Sequence, residues 1–261
     1  NDPGKALQLG LGLGELSGIK IDNMLQQRRD NQAKKEQEQQ AQNKEYGIVS
    51  VSQGEGFSDI FRDLGVDIIV EGGQTMNPSI EDLQKAVDGI KADTIFLLPN
   101  NGNIILAAEQ VAEMADCRVI VLPTKNVAMG IAAVIAFLPD DSPEENEERM
   151  NEAAQKVRTG MITFSVRDTD LDEMHIKEGS IIGLNNGRVT VNCESATEAA
   201  VALMKEIVTE DDGLITVYYG ADTNPQEAET LGQEIAELYP NCDVEVHQGG
   251  QPLYYYLLSV E

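Results

Sequence analysis

The residues best placed to do chemistry lie in short polar loops, each following an apolar run. Ser52 and Gln53 follow residues 47–51, and Gln74, Thr75 and Ser79 follow 66–70. Asn100, Asn101 and Asn103 follow 94–98, and Thr124, Lys125 and Asn126 follow 119–122. Hydroxyls, amides and an ammonium, backed by N–H groups at helix starts, are the donors that hold a carboxylate or a phosphate. Such a set binds a ligand or a partner; it does not by itself transfer a group. Capping and turn bonding account for each residue taken singly. They account less well for polar residues collecting behind one strand after another.

Other chemistry has weaker support. His175 sits in a polar run beside acidic residues, and His247 ends an apolar run before Gln248-Gly249-Gly250-Gln251. Neither has a serine or cysteine at catalytic spacing, and an exposed or structural histidine is the favoured reading of both. Asp168, Asp170, Asp172 and Glu173 lack the spacing of an EF-hand loop. Cys117, Cys193 and Cys242 are odd in number and without CxxC spacing, which fits reduced thiols in a cytoplasmic protein. The chain has no GxxxxGK[ST] phosphate loop and no arranged nucleophile and base, so an independent phosphotransferase or phosphatase is disfavoured.

The elements that position the loops follow from periodicity. Residues 94–98 read as a buried parallel strand closed by Pro99, with a helix of apolar spacing over 104–114. The same strand-loop-helix order recurs from 47 to 137, with Phe57, Ile60, Phe61 and Leu64 on one helix face and Ser79 as an N-cap. Alternation of this kind predicts a doubly wound parallel sheet, whose ligands gather at the carboxyl ends of the strands. The four loops are therefore expected on one rim. Beyond the acidic, proline-punctuated stretch 138–148, an alternating strand at 161–167 opens a second α/β lobe with a mixed sheet. Asn186-Gly187 marks a hairpin there, helices follow at 195–207 and 224–239, and strands at 214–219, 244–247 and 254–260. Tyr254, Tyr255 and Tyr256 alternate between core and surface.

Three regions result: a Gly-spotted tail with a charged linker helix over 1–45, a parallel α/β lobe over 46–141, and the hairpin-bearing lobe over 142–261. The 19 Lys and Arg residues against 45 Asp and Glu leave a net charge of −26. Nucleic acid and anionic membrane are thereby poor partners, and a basic patch on a protein partner is favoured. No run is long and apolar enough to span a bilayer and no signal peptide opens the chain, so stable membrane insertion is not expected.

Several motifs carry a family likeness. Residues 73–82, Gly-Gln-Thr-Met-Asn-Pro-Ser-Ile-Glu-Asp, resemble the Gln-Pro-Ser-Pro-Glu-Asp region of DegV-type fatty-acid-binding proteins. Pro99-Asn100-Asn101-Gly102-Asn103 stands where that family has a Ser-Gly-Thr loop, so amides replace the hydroxyls that hold an acyl carboxylate. Residues 96–103, 121–126 and Gly249-Gly250-Gln251-Pro252 together resemble the C-terminal part of the fatty acid kinase A protein, which is related to dihydroxyacetone kinases. The likeness implies a DegV-like fold and a division of labour. ATP and magnesium would be held by an N-terminal domain and histidines by a middle domain whose exit resembles Asn1-Asp2-Pro3-Gly4. The present chain, needing no cofactor of its own, would dock the fatty-acid-binding DegV-type partner as a non-catalytic module. The alternative is a stand-alone binder of a fatty acid or small anion at the strand-end loops, with Thr75 and Ser79 as ligand candidates. On either reading, alanine at Asn100, Asn101 and Asn103 together is expected to leave folding intact.

Overall fold

Four strands whose interiors are apolar on both faces make the first sheet. The computed structural model describes residues 44–72, 77–171 and 174–261, which belong to one compact unit, Lys44–Glu261. Strands β1 (Lys44–Ser52), β2 (Ile68–Glu71), β3 (Ala92–Leu98) and β4 (Arg118–Val121) lie in the order β2-β1-β3-β4, all parallel. The tail and linker expected over 1–45 lie, up to residue 43, outside the described residues, as do Gln74, Thr75, Asp172 and Glu173.

Helices cover both faces. On one face α2 (Ile80–Asp88) and α3 (Ile105–Met114) bury Leu83, Val87, Ala108 and Val111 against Val49, Val51, Ile95 and Leu97. On the other, α1 (Glu55–Asp63), α4 (Val127–Ile135) and α5 (Pro143–Lys156) bury Phe57, Phe61, Ile131 and Met150 against Ile48, Phe96, Leu98 and Ile120. Burial on both sides explains why 94–98 carries no polar alternation. The helices start where their caps dictate. The Ser79 hydroxyl accepts from the Asp82 N–H while the Asp82 carboxylate accepts from the Ser79 N–H, and Ser142 and Glu145 repeat the arrangement ahead of Pro143. Helix α5, which the sequence reading groups with the second lobe, packs with α4 on the first sheet. Asn146, fully buried, holds it there by donating to the Leu138 carbonyl (2.8 Å) and accepting from the Leu138 N–H (2.9 Å).

The second sheet is mixed, as its hairpin and crossover patterns predict. It contains β5 (Arg158–Phe164), β8 (Ile181–Asn185), β9 (Arg188–Cys193), β10 (Leu214–Tyr219), β11 (Asp243–Gln248) and β12 (Tyr256–Val260), in the order β11-β10-β12-β5-β8-β9. Only β10 and β11 run parallel. Asn186 and Gly187 have φ of 48° and 82°, both in the left-handed region, as a two-residue hairpin turn requires. Helices α6 (Ala196–Ile207) and α7 (Pro225–Leu238) cover the outer face with Leu203, Leu231 and Ile235. A hairpin not foreseen from sequence, β6 (Thr169–Leu171) with β7 (Met174–Ile176), crosses the supposed polar loop. It places His175 in a strand opposite Asp170, whose carboxylate bonds its Nδ1. Three-residue strands carry too little alternation to be seen in a sequence. Among the described residues no helix is long and apolar enough to cross a membrane.

The inner face of the second sheet supplies Tyr218 and Leu257 to the core shared with α1 and α4. Where the lobes meet, the glycine-bearing start of α1 and the loop after β11 touch backbone to backbone. The Phe57 N–H donates to the Gly249 carbonyl (3.1 Å), and a methyl at Gly56 would overlap the Gln248 carbonyl oxygen. Backbone cannot rotate away as a side chain can. Gly56→Ala should therefore destabilise the protein by about 2–3 kcal/mol, read as a fall in melting temperature on the order of 5–10 °C.

Candidate functional site

The order β2-β1-β3-β4 reverses direction between β1 and β3, so a crevice opens at the carboxyl ends of those two strands. Asn100 lies directly in it. Its φ is +53°, which asparagine tolerates better than other side chains bearing a Cβ, and only 7% of its surface is exposed. The side-chain NH2 donates to Ser50 Oγ (2.9 Å) and to the Val51 carbonyl (2.8 Å), tying the end of β3 to β1. The backbone N–H donates to Thr124 Oγ1 (3.1 Å), tying in the loop after β4. Asn101 Oδ1 accepts from the Asn103 N–H (3.0 Å) and Asn101 Nδ2 reaches Asn77 Oδ1 (3.4 Å) in the loop after β2. Polar side chains thus knit the four strand ends together.

The Val51 carbonyl can only accept, which fixes the NH2 of Asn100 there and turns Oδ1 toward α4. Gly130 makes room for it, since a methyl at that position would overlap the amide oxygen. Among the described residues Asn100 Oδ1 has no hydrogen-bond partner, and neither do Ser52 Oγ and Gln251 Oε1. All three residues are buried, and Gln251 is fastened through Nε2 to the Tyr218 carbonyl (3.1 Å). The result is a set of buried oxygens in want of donors, a costly arrangement unless water or a ligand supplies them.

A cavity of about 60 Å³ lies between the two sheets at this point. Gln53, Asn100, Asn101, Asn126 and Gln251 give it a polar side, and Val51, Phe57, Met161 and Leu257 an apolar one. Its described lining has no carboxylate, imidazole or thiol, and its one hydroxyl is the Tyr254 phenol, whose pKa burial raises. Behind it the Tyr218 ring packs tilted against Phe57 with centroids 5.0 Å apart, and burial, seconded by the Glu261 charge, pushes its phenol up to about 12. Both phenols are neutral at physiological pH, so none of these groups is an available base.

The strand-end residues read from sequence divide. Gln53, Asn100, Asn101 and Asn126 share the cavity, Ser52 is buried beside Gln53 in the chain, and Thr124 is buried and bonded to the Asn100 N–H. Asn126 also caps α4 by accepting from the Met129 N–H (3.0 Å). Lys125 instead lines a neighbouring cleft of about 460 Å³ with Arg158 and Asn186, and Asn126 and Met161 border both spaces. Ser79 is exposed and its hydroxyl donates to Asp82 (2.6 Å), while Asn103 is exposed beyond the turn. His247 bonds Glu245 (3.0 Å) and does not line the cavity. Sequence reasoning misses Phe57, Met161, Gln251, Tyr254 and Leu257 as site residues. Only Gly249-Gly250-Gln251-Pro252 offers a signal for them.

The expectation that the three loop asparagines can be replaced with the fold intact is corrected by Asn100. Asn100→Ala would strip two bonds from β1 and leave an alanine in left-handed backbone, a loss of about 3 kcal/mol. Asn103→Ala should stay within about 0.5 kcal/mol. Urea unfolding midpoints of the two variants separate these outcomes.

Known proteins share this architecture. A family model for the C-terminal region of FakA-like fatty acid kinase proteins matches residues 47–261. Protein YloV of Bacillus subtilis (strain 168) is 44% identical over 264 residues, covering 100% of this chain and 48% of YloV. The chain thus spans about half the length of the relatives it matches. Among solved structures, a DegV family protein from Thermus thermophilus described by its fatty acid binding superposes with a TM-score of 0.58 at 16% identity, over 82% of this chain and 99% of that one. The Streptococcus pneumoniae Fak B3 protein loaded with linoleic acid gives 0.57 at 13%, over 83% and 99%. The dihydroxyacetone kinase from C. freundii gives 0.56 at 12%, over 85% and 49%. The fold is DegV-like.

Proposed function

Because the chain belongs to the FakA-like C-terminal family of fatty acid kinase proteins, we propose that it is the non-catalytic docking module of a fatty acid kinase. It binds a fatty-acid-binding DegV-type protein and holds it so that the acyl carboxylate reaches ATP and magnesium on a domain outside this sequence. The observation that carries this reading is the space between the sheets. Small-molecule sites run to roughly 300–1,000 Å³, whereas the cavity here is about 60 Å³. Phe57, Tyr218 and Leu257 belong to the core at this junction. Among the described residues, the space at the strand ends between the two sheets is thus small for an acyl chain. This disfavours the rival reading, a stand-alone lipid binder.

Two further features support docking. The described cavity lining offers no general base or nucleophile, and a net charge of −26 favours a partner with a basic surface. Native mass spectrometry should find the polypeptide without acyl chain, and calorimetry should find it binding a linoleate-loaded DegV-type protein more weakly as salt rises. Mixed with that protein and ATP, the chain alone should release no ADP. A co-purifying fatty acid, or steady ATP turnover, would overturn the reading.

A further inference from the structure

Leu253 bears a backbone cost that its own fold does not repay. Its φ is +68°, a region leucine rarely adopts, yet its side chain is 43% exposed. The conformation is imposed by neighbours along the whole loop. The N–H groups of Gly249 and Gly250 donate to the Tyr219 carbonyl (3.0 and 3.1 Å), and that of Ala221 to the Gln251 carbonyl (3.0 Å). Thr163 Oγ1 donates to the carbonyl of Leu253 itself (2.6 Å), and the Tyr255 N–H to that of Ile162 (2.9 Å). A glycine or asparagine would enter this φ more easily. Pro252 and Tyr254 on either side line the cavity, and Leu253 does not. Strain held this firmly around an exposed apolar side chain points to a use outside the chain.

We propose that Leu253 is the anchor of the docking surface: an apolar side chain presented on a rigid loop to a pocket in the DegV-type partner whose rim is basic. The proposal rests on the docking reading above. Interface energy concentrates in a few rigid apolar anchors ringed by polar contacts, and a net charge of −26 favours a basic rim on the partner. Val166, 75% exposed just beyond the end of β5 that holds Leu253, extends the same end of the second sheet with apolar surface.

The test compares Leu253→Asn and Leu253→Gly with Leu106→Asn, whose side chain is 71% exposed on α3 of the first sheet. Thermal melts are paired with calorimetry against a linoleate-loaded DegV-type protein. Both Leu253 variants should melt within about 2 °C of the parent, or above it. Their affinity should fall at least about tenfold, with Leu106→Asn unchanged. If the Leu253 variants bind as the parent does, the anchor is elsewhere and the docking reading survives. Equal loss in Leu106→Asn would mark indiscriminate apolar adhesion, and a melting temperature lowered by more than about 5 °C would assign the side chain to its own fold. Any of these three results overturns the proposal. A parent chain that does not bind the loaded protein removes the docking reading and the anchor together.

Discussion

The bond pair from the Asn100 amide to Ser50 and Val51 is the constraint on which the site depends. A doubly wound sheet leaves a gap where its strand order turns, and in many proteins of this architecture a ligand occupies it. Here a side chain from the end of β3 fills the gap and fastens it to β1. Because the backbone N–H of the same residue also holds Thr124, the loops after β1, β3 and β4 cannot spread independently. The crevice is consequently closed from within the first sheet.

Closure from the second sheet is of a different kind. Phe57 and Tyr218 meet ring to ring, and the Gly56 and Gly249 segments approach until only hydrogen atoms fit between them. Polar groups set the floor of the cavity and aromatic packing its walls. What remains is room for a few water-sized groups beside amide oxygens that lack donors among the described residues.

Much of this architecture is legible in the sequence because it is written locally. Ser79, Ser142, Ser195 and Asn224 announce helix starts by bonding within three residues, and Asn186-Gly187 announces a hairpin through its own dihedrals. The strand-end position of the polar loops follows from strand and helix alternation alone. Their separate fates do not. Whether Asn100 faces solvent or plugs a crevice depends on partners about fifty residues away, and Gln251 reaches Tyr218 across the second lobe. Lys125 and Asn126 are adjacent in sequence and share one cleft, yet only Asn126 also caps a helix and reaches the cavity beside Asn100. Helix α5 likewise reads as the start of a new lobe until Asn146 and Met150 are seen in the first one.

The placement of β12 has a consequence for how the protein is made. It is the interior strand between β10 and β5, pairing Tyr256 with Ile162 and Val260 with Arg158. During synthesis β5 emerges long before its neighbour exists, and it waits with an unpaired edge while nearly a hundred residues follow. Contacts of such long range form slowly. The mixed sheet is complete only once residues 256–260 have been made, and the core that Tyr218 and Leu257 share with α1 and α4 closes with it. In that interval the nascent chain is open to strand-pairing errors, and a chaperone has most to protect.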